Sequence, residues 1–382
     1  MTTALIGARV VTSDAVLDDH ALLIDGARIA GVVAADRVPR DATVERLDGG
    51  LLLPGFIDTQ VNGGGDVLFN DSPSVAGARA IAEAHRRFGT TALLPTLISD
   101  DLSVVTAAIG AVEAAVMEGV PGVIGIHVEG PFLNPAKRGI HDADKFRPID
   151  AEAIALLTRP GRGKRLLTIA PERAPPGAIA ALAAAGVVVA AAHSMADYAQ
   201  TRAALDAGLA GFTHLFNAMT LLGSREPGMV GAALEDRASH FGLIVDGRHV
   251  HPASLRVAIA ARGVEGAMLV TDAMPPVGGV RDRFILAGRE IRVVDGVCVA
   301  SDGTLGGAAL SMAQAFRNAL SMLGLSIVDA SRMASGNPAD FMGLANRTGR
   351  IRPGLAADLV HLNDAYRVTC SWIGGSRSDR GE

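Results

Sequence analysis

The middle of the chain alternates short, fully apolar runs with segments whose apolar residues recur at the spacing of an α-helix. We predict eight strands from the apolar runs: LLLPGFIDTQ (51–60), TALLPTL (91–97), GVIGIHVEG (122–130), LLTIAPE (166–172), VVVAAAHS (187–194), GFTHLFNA (211–218), HFGLIVDG (240–247) and AMLVTDAM (267–274). Apolar strands separated by helices indicate a parallel sheet that is covered on its outer face. Eight such units over roughly 250 residues favour a closed (β/α)8 barrel of the TIM type over an open doubly wound sheet.

Helix start and stop signals lie between several of these runs. Ser74 is a predicted N-cap of a helix that ends before Gly89, and Asp101 is a predicted N-cap of the next helix. Alanine-rich helices are predicted at 176–185 and 196–207, and each is stopped by a glycine. These helices would cover the outside of the barrel.

Both ends of the chain have a different pattern, with short strand-like segments and tight turns. Residues 1–52 contain ALIGARVVT and then ALLIDGARIAGVV with its turn at Asp25-Gly26, and residues 344–382 contain ADLVHL and YRVTCSWIGG. We therefore predict one small β-sandwich domain built from 1–52 and 344–382, next to a catalytic barrel at 53–343. A β excursion is predicted at 284–300, before the last helix of the barrel.

Composition and charge disfavour several classes of protein. Hydrophobic residues make up 49% and charged residues 20% of the 382 residues, as in a globular protein with a large core. The net charge of -5 provides no field that attracts nucleic acid or acidic lipid, so any anionic ligand must be held by a few local groups. No GxGxxG or GxxxxGK(S/T) pattern follows a predicted strand, which disfavours a nucleotide-binding fold.

Cysteine usage and the N-terminal segment indicate a cellular compartment. Cys298 and Cys370 are the only cysteines and belong to no CxxC pair, so we expect neither a disulfide framework nor a thiolate zinc site. The N-terminal segment lacks the basic start and long apolar run of a signal peptide. We expect a cytoplasmic protein without a membrane or nucleic-acid partner.

Polar side chains that could carry chemistry follow six of the eight predicted strands. They are Gln60 and Asn62 after the first strand, Glu129 at the end of the third, His193 at the end of the fifth, His214 in the sixth, Asp246 and His249 at the end of the seventh, and Asp272 at the end of the eighth. The C-terminal ends of barrel strands meet at one rim, so we predict that these side chains share a site there.

Three of these residues form a predicted metal site. Glu129, His193 and His214 suit one zinc-like ion that keeps an open position for water. Such an ion lowers the pKa of water, and Asp272 beside it would act as the base and acid in proton transfer. Simpler interpretations also exist: strand-end histidines that only make structural hydrogen bonds, a glutamate that caps a loop, and an aspartate that caps a helix. His127 is left open as either a core residue or a support for the site.

The motifs along the chain are long and keep a fixed order. They are PGFIDTQVNGGG (54–65), HVEGPFLNPAKRGIHD (127–142), AAHS (191–194), THLFNAMTLLGSREPGMVGAAL (213–234), IVDGRHVHP (244–252), LVTDAMPP (269–276), DGTLGGAALSM (302–312) and SGNPADFMGL (335–344). Through these motifs the chain resembles, over nearly its whole length, the N-acetylglucosamine-6-phosphate deacetylases of the amidohydrolase superfamily. The resemblance implies a metal-dependent barrel, a small β domain drawn from both termini, and a homodimer.

The resemblance also implies roles for individual residues in catalysis. Glu129, His193 and His214 would be the metal ligands. Asp272 would take a proton from the attacking water and later give it to the leaving amine. His141 would hydrogen-bond the acetamide carbonyl and help to stabilise the oxyanion, whereas composition alone describes it as an exposed loop histidine.

A second set of residues would bind the substrate. By resemblance, Asn217 and Ala218 would contact the sugar or the phosphate, and Arg225 and His249 would bind the phosphate, where one group could come from a neighbouring subunit. The other implied substrate contacts are Ile140, His141, Asp246, Leu305, Gly306 and Gly307. Without the resemblance, Arg225 is a solvated loop arginine, and the turn with the two glycines only starts the last helix.

The chain departs from the wider superfamily after the first strand. Many amidohydrolases carry His-x-His there, but this chain has Gln60-Val61-Asn62. Two imidazoles that could hold a second metal ion are therefore missing. We expect one essential divalent metal ion, with Gln60 at most a weak or water-mediated ligand. Zinc is the expected metal, with iron, manganese and cobalt as alternatives.

The expected activity is the metal-dependent hydrolysis of N-acetyl-D-glucosamine 6-phosphate to D-glucosamine 6-phosphate and acetate. The same reaction on the galactosamine isomer is the nearest alternative, because one hydroxyl orientation depends on details of the pocket. Cyclic amide hydrolysis or deamination is disfavoured, since the His-x-His pair and a strand-end lysine are absent. A catalytically inactive sugar-phosphate sensor is a third alternative, although such a protein should have lost Asp272 or a metal ligand.

Overall fold

A single curved sheet of parallel strands forms the centre of the molecule, which a computed structural model describes over residues 2–382. Its eight strands lie side by side in chain order. They are Phe56–Val61, Thr90–Ile98, Gly125–Glu129, Lys164–Ile169, Val188–Ala191, Gly211–Phe212, His240–Leu243 and Ala267–Leu269. The predicted (β/α)8 barrel is confirmed. Most strands are shorter than the apolar runs that predicted them, because the last residues of each run belong to the loops of the rim.

The first and eighth strands meet only at their C-terminal ends, so the barrel is nearly closed. Val61 and Ala273 form an isolated parallel bridge there. The backbone N–H groups of Asn62 and Gly63 both donate to the carbonyl of Ala273, at 2.9 and 3.0 Å. The seam of the barrel therefore lies directly beside Asp272.

Helices cover the outer face of the barrel. They are α1 (Val75–Arg86), α2 (Leu102–Met117), α3 (Ala151–Thr158), α4 (Ala178–Ala184), α5 (Tyr198–Asp206), α6 (Gly228–Glu235), α7 (Pro252–Arg262), α8 (Met312–Leu323), α9 (Ile327–Ser331), a π-helical turn at Arg332–Gly336, and α10 (Asn337–Phe341). Short 3-10 turns lie at Ala35–Arg37, Pro135–Lys137, Ala143–Lys145 and Pro171–Arg173. Within residues 2–382, none of the helices combines the length and the apolar character that crossing a bilayer requires.

The two predicted N-caps have different outcomes. The Ser74 hydroxyl accepts a hydrogen bond from the N–H of Gly77 at 3.1 Å, as a capping side chain does. Asp101 also precedes its helix directly, but its side chain makes no capping bond. Its carboxylate instead accepts a hydrogen bond from Lys145 Nζ at 2.5 Å.

Two further sheets are built from the ends of the chain. The first has the strand order Arg28–Ala34, His20–Asp25, Thr2–Ile6, Thr43–Arg46. The second has the order Ser376–Ser378, Val368–Ile373, Leu359–Leu362, Leu51–Pro54, Arg9–Val11, Val16–Leu17. Leu51–Pro54 pairs directly with Leu359–Leu362. Apolar side chains from both termini, including Leu22, Leu52 and Trp372, share one buried cluster, so a β domain drawn from both termini is confirmed.

The single strand predicted at 51–60 is wrong, because the chain changes sheets at Gly55. Leu51–Pro54 lies in the second terminal sheet, and Phe56–Val61 opens the barrel. A Cβ at Gly55 would lie 2.1 Å from Thr91 Oγ1, so only glycine fits where the two sheets meet.

An antiparallel sheet is inserted between the eighth barrel strand and α8. Its strands are Arg283–Leu286, Arg289–Val294, Val297–Ala300 and Leu305–Ala308. A short hairpin of Gly63–Gly64 and Val67–Leu68 follows the first barrel strand. The predicted β excursion is therefore present and extends to the edge of the candidate site.

Candidate active site

The candidate active site is a cavity of about 360 Å³ at the C-terminal ends of the barrel strands. This volume lies within the range of about 300–1,000 Å³ that is typical of small-molecule sites. The predicted site residues that line the cavity are Glu129, Ile140, His141, His193, His214, Asn217, Ala218, His249, Asp272, Leu305 and Gly307. Residues that are far apart in sequence thus meet at one rim, as this barrel requires.

Glu129, His193 and His214 form a compact buried cluster, each no more than 6% exposed. Glu129 Oε1 lies 2.9 Å from His214 Nε2 and 3.4 Å from His193 Nε2. The two Nε2 atoms are 3.1 Å apart. Ligands of a tetrahedral zinc ion with bonds of about 2.0–2.1 Å are separated by roughly 3.3 Å, so the three atoms are spaced as one ion requires.

The hydrogen bonding of the two imidazoles supports a cation at this position. His193 Nδ1 lies 2.8 Å from the carbonyl oxygen of Lys137, which can only accept, so Nδ1 carries the proton. In the neutral ring Nε2 then directs a lone pair at Glu129 and at His214. A lone pair that faces a carboxylate and a second imidazole nitrogen is unfavourable unless a cation lies between them. The residues therefore fit a divalent metal ion, and two histidines with one carboxylate are an established catalytic ligand set.

The cluster perturbs the titration of its members. Burial alone would raise the pKa of Glu129, but without a metal ion the hydrogen bonds that protonated His193 and His214 donate to it outweigh burial and hold that pKa well below its ordinary value. Burial alone would lower the pKa of His214, and its bond to Glu129 reverses the direction and raises it. Burial raises the pKa of Asp272 to about 6, and the charge of Glu129 contributes in the same direction. A carboxyl group with a pKa nearer neutrality exchanges protons more effectively at physiological pH.

Two amide side chains of the first strand orient Asp272. Its Oδ1 accepts hydrogen bonds from Asn62 Nδ2 at 2.6 Å and from Gln60 Nε2 at 3.2 Å. Gln60 Nε2 also donates to Glu129 Oε1 at 3.2 Å. In residues 2–382 the Oδ2 atom of Asp272 has no donor, so it is the oxygen available to a reacting molecule.

The Gln60 side chain lies between the carboxylates of Glu129 and Asp272 and donates a hydrogen bond to each. This orientation does not suit a metal ligand. The Gln60 amide nitrogen faces both carboxylates, and its Oε1 is buried without a partner among residues 2–382. A ligand role would need the amide to rotate, which would bring its oxygen against Glu129 and Asp272. The weak-ligand role remains a prediction that the observed orientation does not favour.

His141 presents an N–H to the cavity. The backbone N–H of Ser99 donates to His141 Nδ1 at 3.4 Å, and the Ser99 hydroxyl lies 2.8 Å from the same atom. Because Nδ1 accepts, the proton lies on Nε2. Burial lowers the pKa of His141 to about 3, which keeps the ring neutral. A neutral imidazole with a fixed Nε2–H is a suitable donor to a substrate carbonyl.

Comparison with known proteins identifies the family. Residues 51–377 match the amidohydrolase family, and residues 3–52 match the NagA composite domain. The chain belongs to the amidohydrolase family. The family match spans the barrel and reaches into the C-terminal strands of the second terminal sheet.

This amidohydrolase is similar over most or nearly all of its length to several known proteins. It is 43% identical to the N-acetylgalactosamine-6-phosphate deacetylase of Shewanella sp. (strain ANA-3), over 97% of this chain and 94% of the relative. It is 37% identical to the N-acetylglucosamine-6-phosphate deacetylase of Bos taurus, over 88% of this chain and 85% of the relative. The crystal structure of N-acetylglucosamine-6-phosphate deacetylase from Pasteurella multocida superimposes with a TM-score of 0.94 at 31% identity, covering 99% and 100% of the two chains. The resemblance inferred from the sequence motifs is confirmed.

The residues that the resemblance assigned to the phosphate lie in different surroundings. His249 lines the cavity, and its Nδ1 donates to Asp246 Oδ2 at 2.6 Å. Burial alone would raise the pKa of Asp246, but the hydrogen bond from His249 outweighs burial and lowers it. Asp246 is therefore the ionised acceptor of that hydrogen bond. Asp246 therefore reaches the amidohydrolase cavity only through His249. Arg225 lies in the exposed segment 221–226 and does not line the cavity.

The inserted sheet supplies one side of the cavity. Leu305 and Gly307 line it, while Gly306 packs behind them, where a Cβ would lie 3.1 Å from Ile140. Gly307 has a φ of 77°, and a Cβ there would lie 2.8 Å from the carbonyl oxygen of Asp272. Only glycine therefore allows this strand to approach the eighth barrel strand so closely.

Several residues at this rim have a left-handed backbone. His193, His214 and Asp272 have φ values of 48°, 34° and 50°, and Ala218 has 53°. Each such conformation costs of order 1 kcal/mol or more for a non-glycine residue and persists only where the surroundings enforce it. The amidohydrolase rim thus turns these side chains inward at some cost in stability.

Three supporting residues were missed as site residues or left undecided by sequence reasoning. Ser99 follows the second barrel strand and Glu172 follows the fourth, the two strands to which no polar residue was assigned. His127, left open between two roles, is buried beneath the cluster, with Nε2 2.7 Å from Thr168 Oγ1 and its pKa lowered to about 4 by burial. The signal for Glu172 was available, because it ends the run LLTIAPE.

Glu172 connects the loops on both sides of His193. Its Oε1 accepts from Asn134 Nδ2 at 2.9 Å and from the Met195 N–H at 2.7 Å, and its Oε2 accepts from Ser194 Oγ at 2.6 Å. The N–H of Asn134 in turn donates to the carbonyl of His193 at 2.9 Å. Glu172 is thus a positioning residue for a predicted metal ligand.

Replacing Glu172 with Gln is expected to weaken metal binding about tenfold or more, because outer hydrogen bonds around metal ligands typically contribute 10- to 100-fold to affinity. Competition with a chromogenic chelator measures the affinity directly. The matched control is Glu152→Gln, an exposed glutamate on α3. Equal metal affinity in the Glu172 variant and the wild type would contradict the positioning role.

Proposed function

We propose that this amidohydrolase hydrolyses N-acetyl-D-glucosamine 6-phosphate to D-glucosamine 6-phosphate and acetate. The observation that carries the proposal is the meeting of the Glu129, His193 and His214 cluster with Asp272 and His141 around one cavity. Relatives that bear this activity in their names match most of the chain.

The chemistry divides between a metal ion and the side chains around it. A divalent cation held by Glu129, His193 and His214 supplies Lewis acidity, which polarises a carbonyl group and lowers the pKa of water. The Oδ2 atom of Asp272 accepts a proton from the attacking water, whose oxygen bonds to the acetyl carbon. His141 donates its Nε2–H to the carbonyl oxygen as negative charge develops there. Asp272 then passes the proton to the amine nitrogen as the carbon–nitrogen bond breaks, which releases acetate.

Zinc is the proposed metal, and the donor set supports it. Two imidazole nitrogens and one carboxylate oxygen suit zinc at a catalytic site with an open position. Iron, manganese and cobalt accept the same donors, so metal analysis of the purified protein decides between them.

Deacetylation of N-acetyl-D-galactosamine 6-phosphate is the second candidate function. It is favoured by the 43% identity to the Shewanella relative named for that activity, compared with 37% to the bovine glucosamine enzyme. The two substrates differ only in the orientation of one hydroxyl group. Relative kcat/KM values for the two 6-phosphates therefore decide between the candidates.

The 6-phosphate is expected to raise kcat/KM at least about 100-fold over the unphosphorylated sugar, because two charge-assisted hydrogen bonds contribute about 1.5–3 kcal/mol each. Acetate release from both N-acetylhexosamines, with and without the phosphate, measures this ratio.

Arg225→Ala should reduce the ratio by about tenfold or more. Arg37→Ala, on an exposed turn of the terminal domain, is the matched control. Equal rates with and without phosphate would exclude the assigned substrate, and complete inactivity on all four sugars would favour a sensor.

A homodimer is part of the proposal, and the position of Arg225 supports it. The exposed segment 221–226 carries Leu221 and Leu222, with 67% and 57% of their surfaces accessible. Because Arg225 does not line the cavity of its own chain, we infer that its phosphate contact is made in the partner's cavity, with these leucines buried at the interface. Mixing Arg225→Ala with Asp272→Asn should then restore activity in hybrid dimers, whereas independent subunits would gain nothing.

The location and the domain bounds also stay proposals. A cytoplasmic location is supported by two buried free thiols, Cys298 and Cys370. The proposed segments are 1–52 and 344–382 for the small β domain and 53–343 for the barrel.

A further inference from the structure

A second cavity, of about 950 Å³, lies at the opposite end of the barrel from the catalytic rim. We call it the basal cleft. Its barrel side includes Thr91, Ile124 and Lys164 at or near the N-terminal ends of strands, and its other side includes Asp358 and Gly374 next to the terminal sheets. The basal cleft therefore lies between the barrel and the small β domain.

The basal cleft is separate from the catalytic cavity. Lys164 begins the fourth barrel strand, and Thr168 of the same strand pairs with Glu129 of the metal cluster. Four residues of strand span about 13 Å, so the two cavities are separated by roughly the length of a strand. None of the predicted catalytic residues lines the basal cleft.

Positive charge dominates the lining of the basal cleft, although the whole chain has a net charge of -5. Asp358 is the one acidic residue among those that line it. The basic residues that line it are Arg28, Arg159, Arg162, Lys164, Arg165 and Arg347. Such a concentration of one sign of charge in a concave site raises the local concentration of anions.

Two of these cations already have a carboxylate partner. Glu113 Oε2 accepts from Arg159 NH2 at 2.9 Å, and Glu113 Oε1 accepts from Arg165 NH2 at 2.5 Å. Arg165 also donates to the carbonyl oxygens of Leu157 and Arg159, at 2.8 and 2.5 Å. These two arginines are structural.

The other four cations are not neutralised. Arg28 donates to the carbonyl of Gly354 at 2.6 Å and Lys164 to that of Gly343 at 3.3 Å, both uncharged acceptors. Over residues 2–382, no carboxylate forms an ion pair with either of them, or with Arg162 or Arg347.

Asp358 offsets only one of these four charges, and within residues 2–382 it forms no ion pair with any of the four. Its Oδ2 accepts from Thr348 Oγ1 at 2.9 Å, and its Oδ1 accepts from the N–H of Gly374 at 2.8 Å. Both oxygens are thus engaged by neutral donors. An anion in the basal cleft would meet several cations with free N–H groups and one carboxylate that is already satisfied.

We propose that the basal cleft binds a phosphate-bearing anion of up to the size of a nucleotide. Its volume suits a ligand larger than a single phosphate. Arginine forks bind phosphate oxygens in pairs. Arg162 lies in the sequence PGRGKR (160–165), which contributes two further cations, Lys164 and Arg165, to the lining of the cleft. The inference does not depend on the proposed deacetylase activity, which uses the other end of the barrel.

Inorganic pyrophosphate is the probe for the first experiment. Isothermal titration of the full chain at low ionic strength should detect binding, and the double variant Arg162→Ser/Arg347→Ser should weaken it about tenfold or more. Arg37→Ser/Arg40→Ser removes the same charge from an exposed turn of the terminal domain and should leave the affinity unchanged. Arg162→Lys/Arg347→Lys keeps the charge but not the arginine forks, so it should weaken binding less than the double serine variant, which separates loss of charge from loss of folding.

Hydrogen exchange locates the bound pyrophosphate. Slower exchange is expected in peptides that contain 159–165 and 343–348, without a change at 139–141 on the catalytic rim. Binding of equal strength in the wild type and in Arg162→Ser/Arg347→Ser would overturn the proposal. So would protection confined to the catalytic rim, or an absence of binding at roughly 5 mM pyrophosphate, the range of weak non-covalent complexes.

Discussion

Replacing Asp272 with Asn is expected to lower kcat for acetate release about a thousandfold, while substrate affinity changes little. General acid–base catalysis contributes about 10²- to 10⁴-fold, and Asp272 would act in both proton transfers. Asparagine can still accept from Asn62 and Gln60 through its oxygen, so the local hydrogen bonds survive. Only the ability to accept and return a proton is lost.

Two measurements test the Asp272→Asn variant, one of kcat and one of substrate affinity. Steady-state acetate release gives kcat, and titration calorimetry with the intact 6-phosphorylated substrate gives the affinity that the inactive variant retains. Asp246→Asn serves as a control. It alters a carboxylate that touches His249 but not the cavity, so it should change KM more than kcat. Turnover by Asp272→Asn within about tenfold of the wild type would remove Asp272 from the proposed proton transfers.

Replacing His193 with Asn is expected to abolish both metal uptake and activity. A ligand that binds only the folded state adds about 4 kcal/mol to stability at a thousandfold excess over its Kd, so the wild type should unfold at a higher temperature with added zinc. The variant should show no such shift, because the remaining Glu129 and His214 offer only two donors.

Mass spectrometry of the metal after gel filtration, together with thermal unfolding with and without zinc, checks this result. The wild type should retain one metal ion per chain. His20→Gln, which alters a histidine of the terminal sheet far from the cluster, should behave like the wild type. A variant at His193 that kept both the metal and the thermal shift would show that the ion binds elsewhere.

The alternation of apolar runs and helix signals was sufficient to predict the barrel, because each strand is buried on both faces. The same pattern could not show that Leu51–Pro54 and Phe56–Val61 belong to different sheets. Both parts are apolar and only Gly55 separates them, so the change of partner depends on contacts with Thr91 and with the C-terminal strands. The pattern of apolar residues indicates that a strand is buried, but it does not indicate which sheet the strand joins.

The candidate site was predictable where a side chain contributes directly to chemistry. Glu129, His193, His214 and Asp272 each follow an apolar strand, and the structure places all four at the cavity. The residues that hold these side chains in place through hydrogen bonds were not predictable. The bonds of Ser99 to His141 link residues 42 positions apart, and nothing in the sequence near either residue specifies the other.

The basal cleft was also not predictable from composition. Its six basic residues come from several separate segments of a chain with a net negative charge. Only the packing of the terminal domain against the barrel brings Arg28 and Arg347 near Arg162. Net charge describes the molecule as a whole and gives no information about this local field.

The seam of the barrel has a consequence for the order of events during synthesis. Asn62 and Asp272 are separated by 210 residues, yet their hydrogen bond lies where the first and last strands meet. A nascent chain that has emerged a few residues past the sixth strand already contains all three predicted metal ligands but lacks this carboxylate. Contacts of such long sequence separation form late, so a partly translated chain could sequester a cation well before it could turn over a substrate.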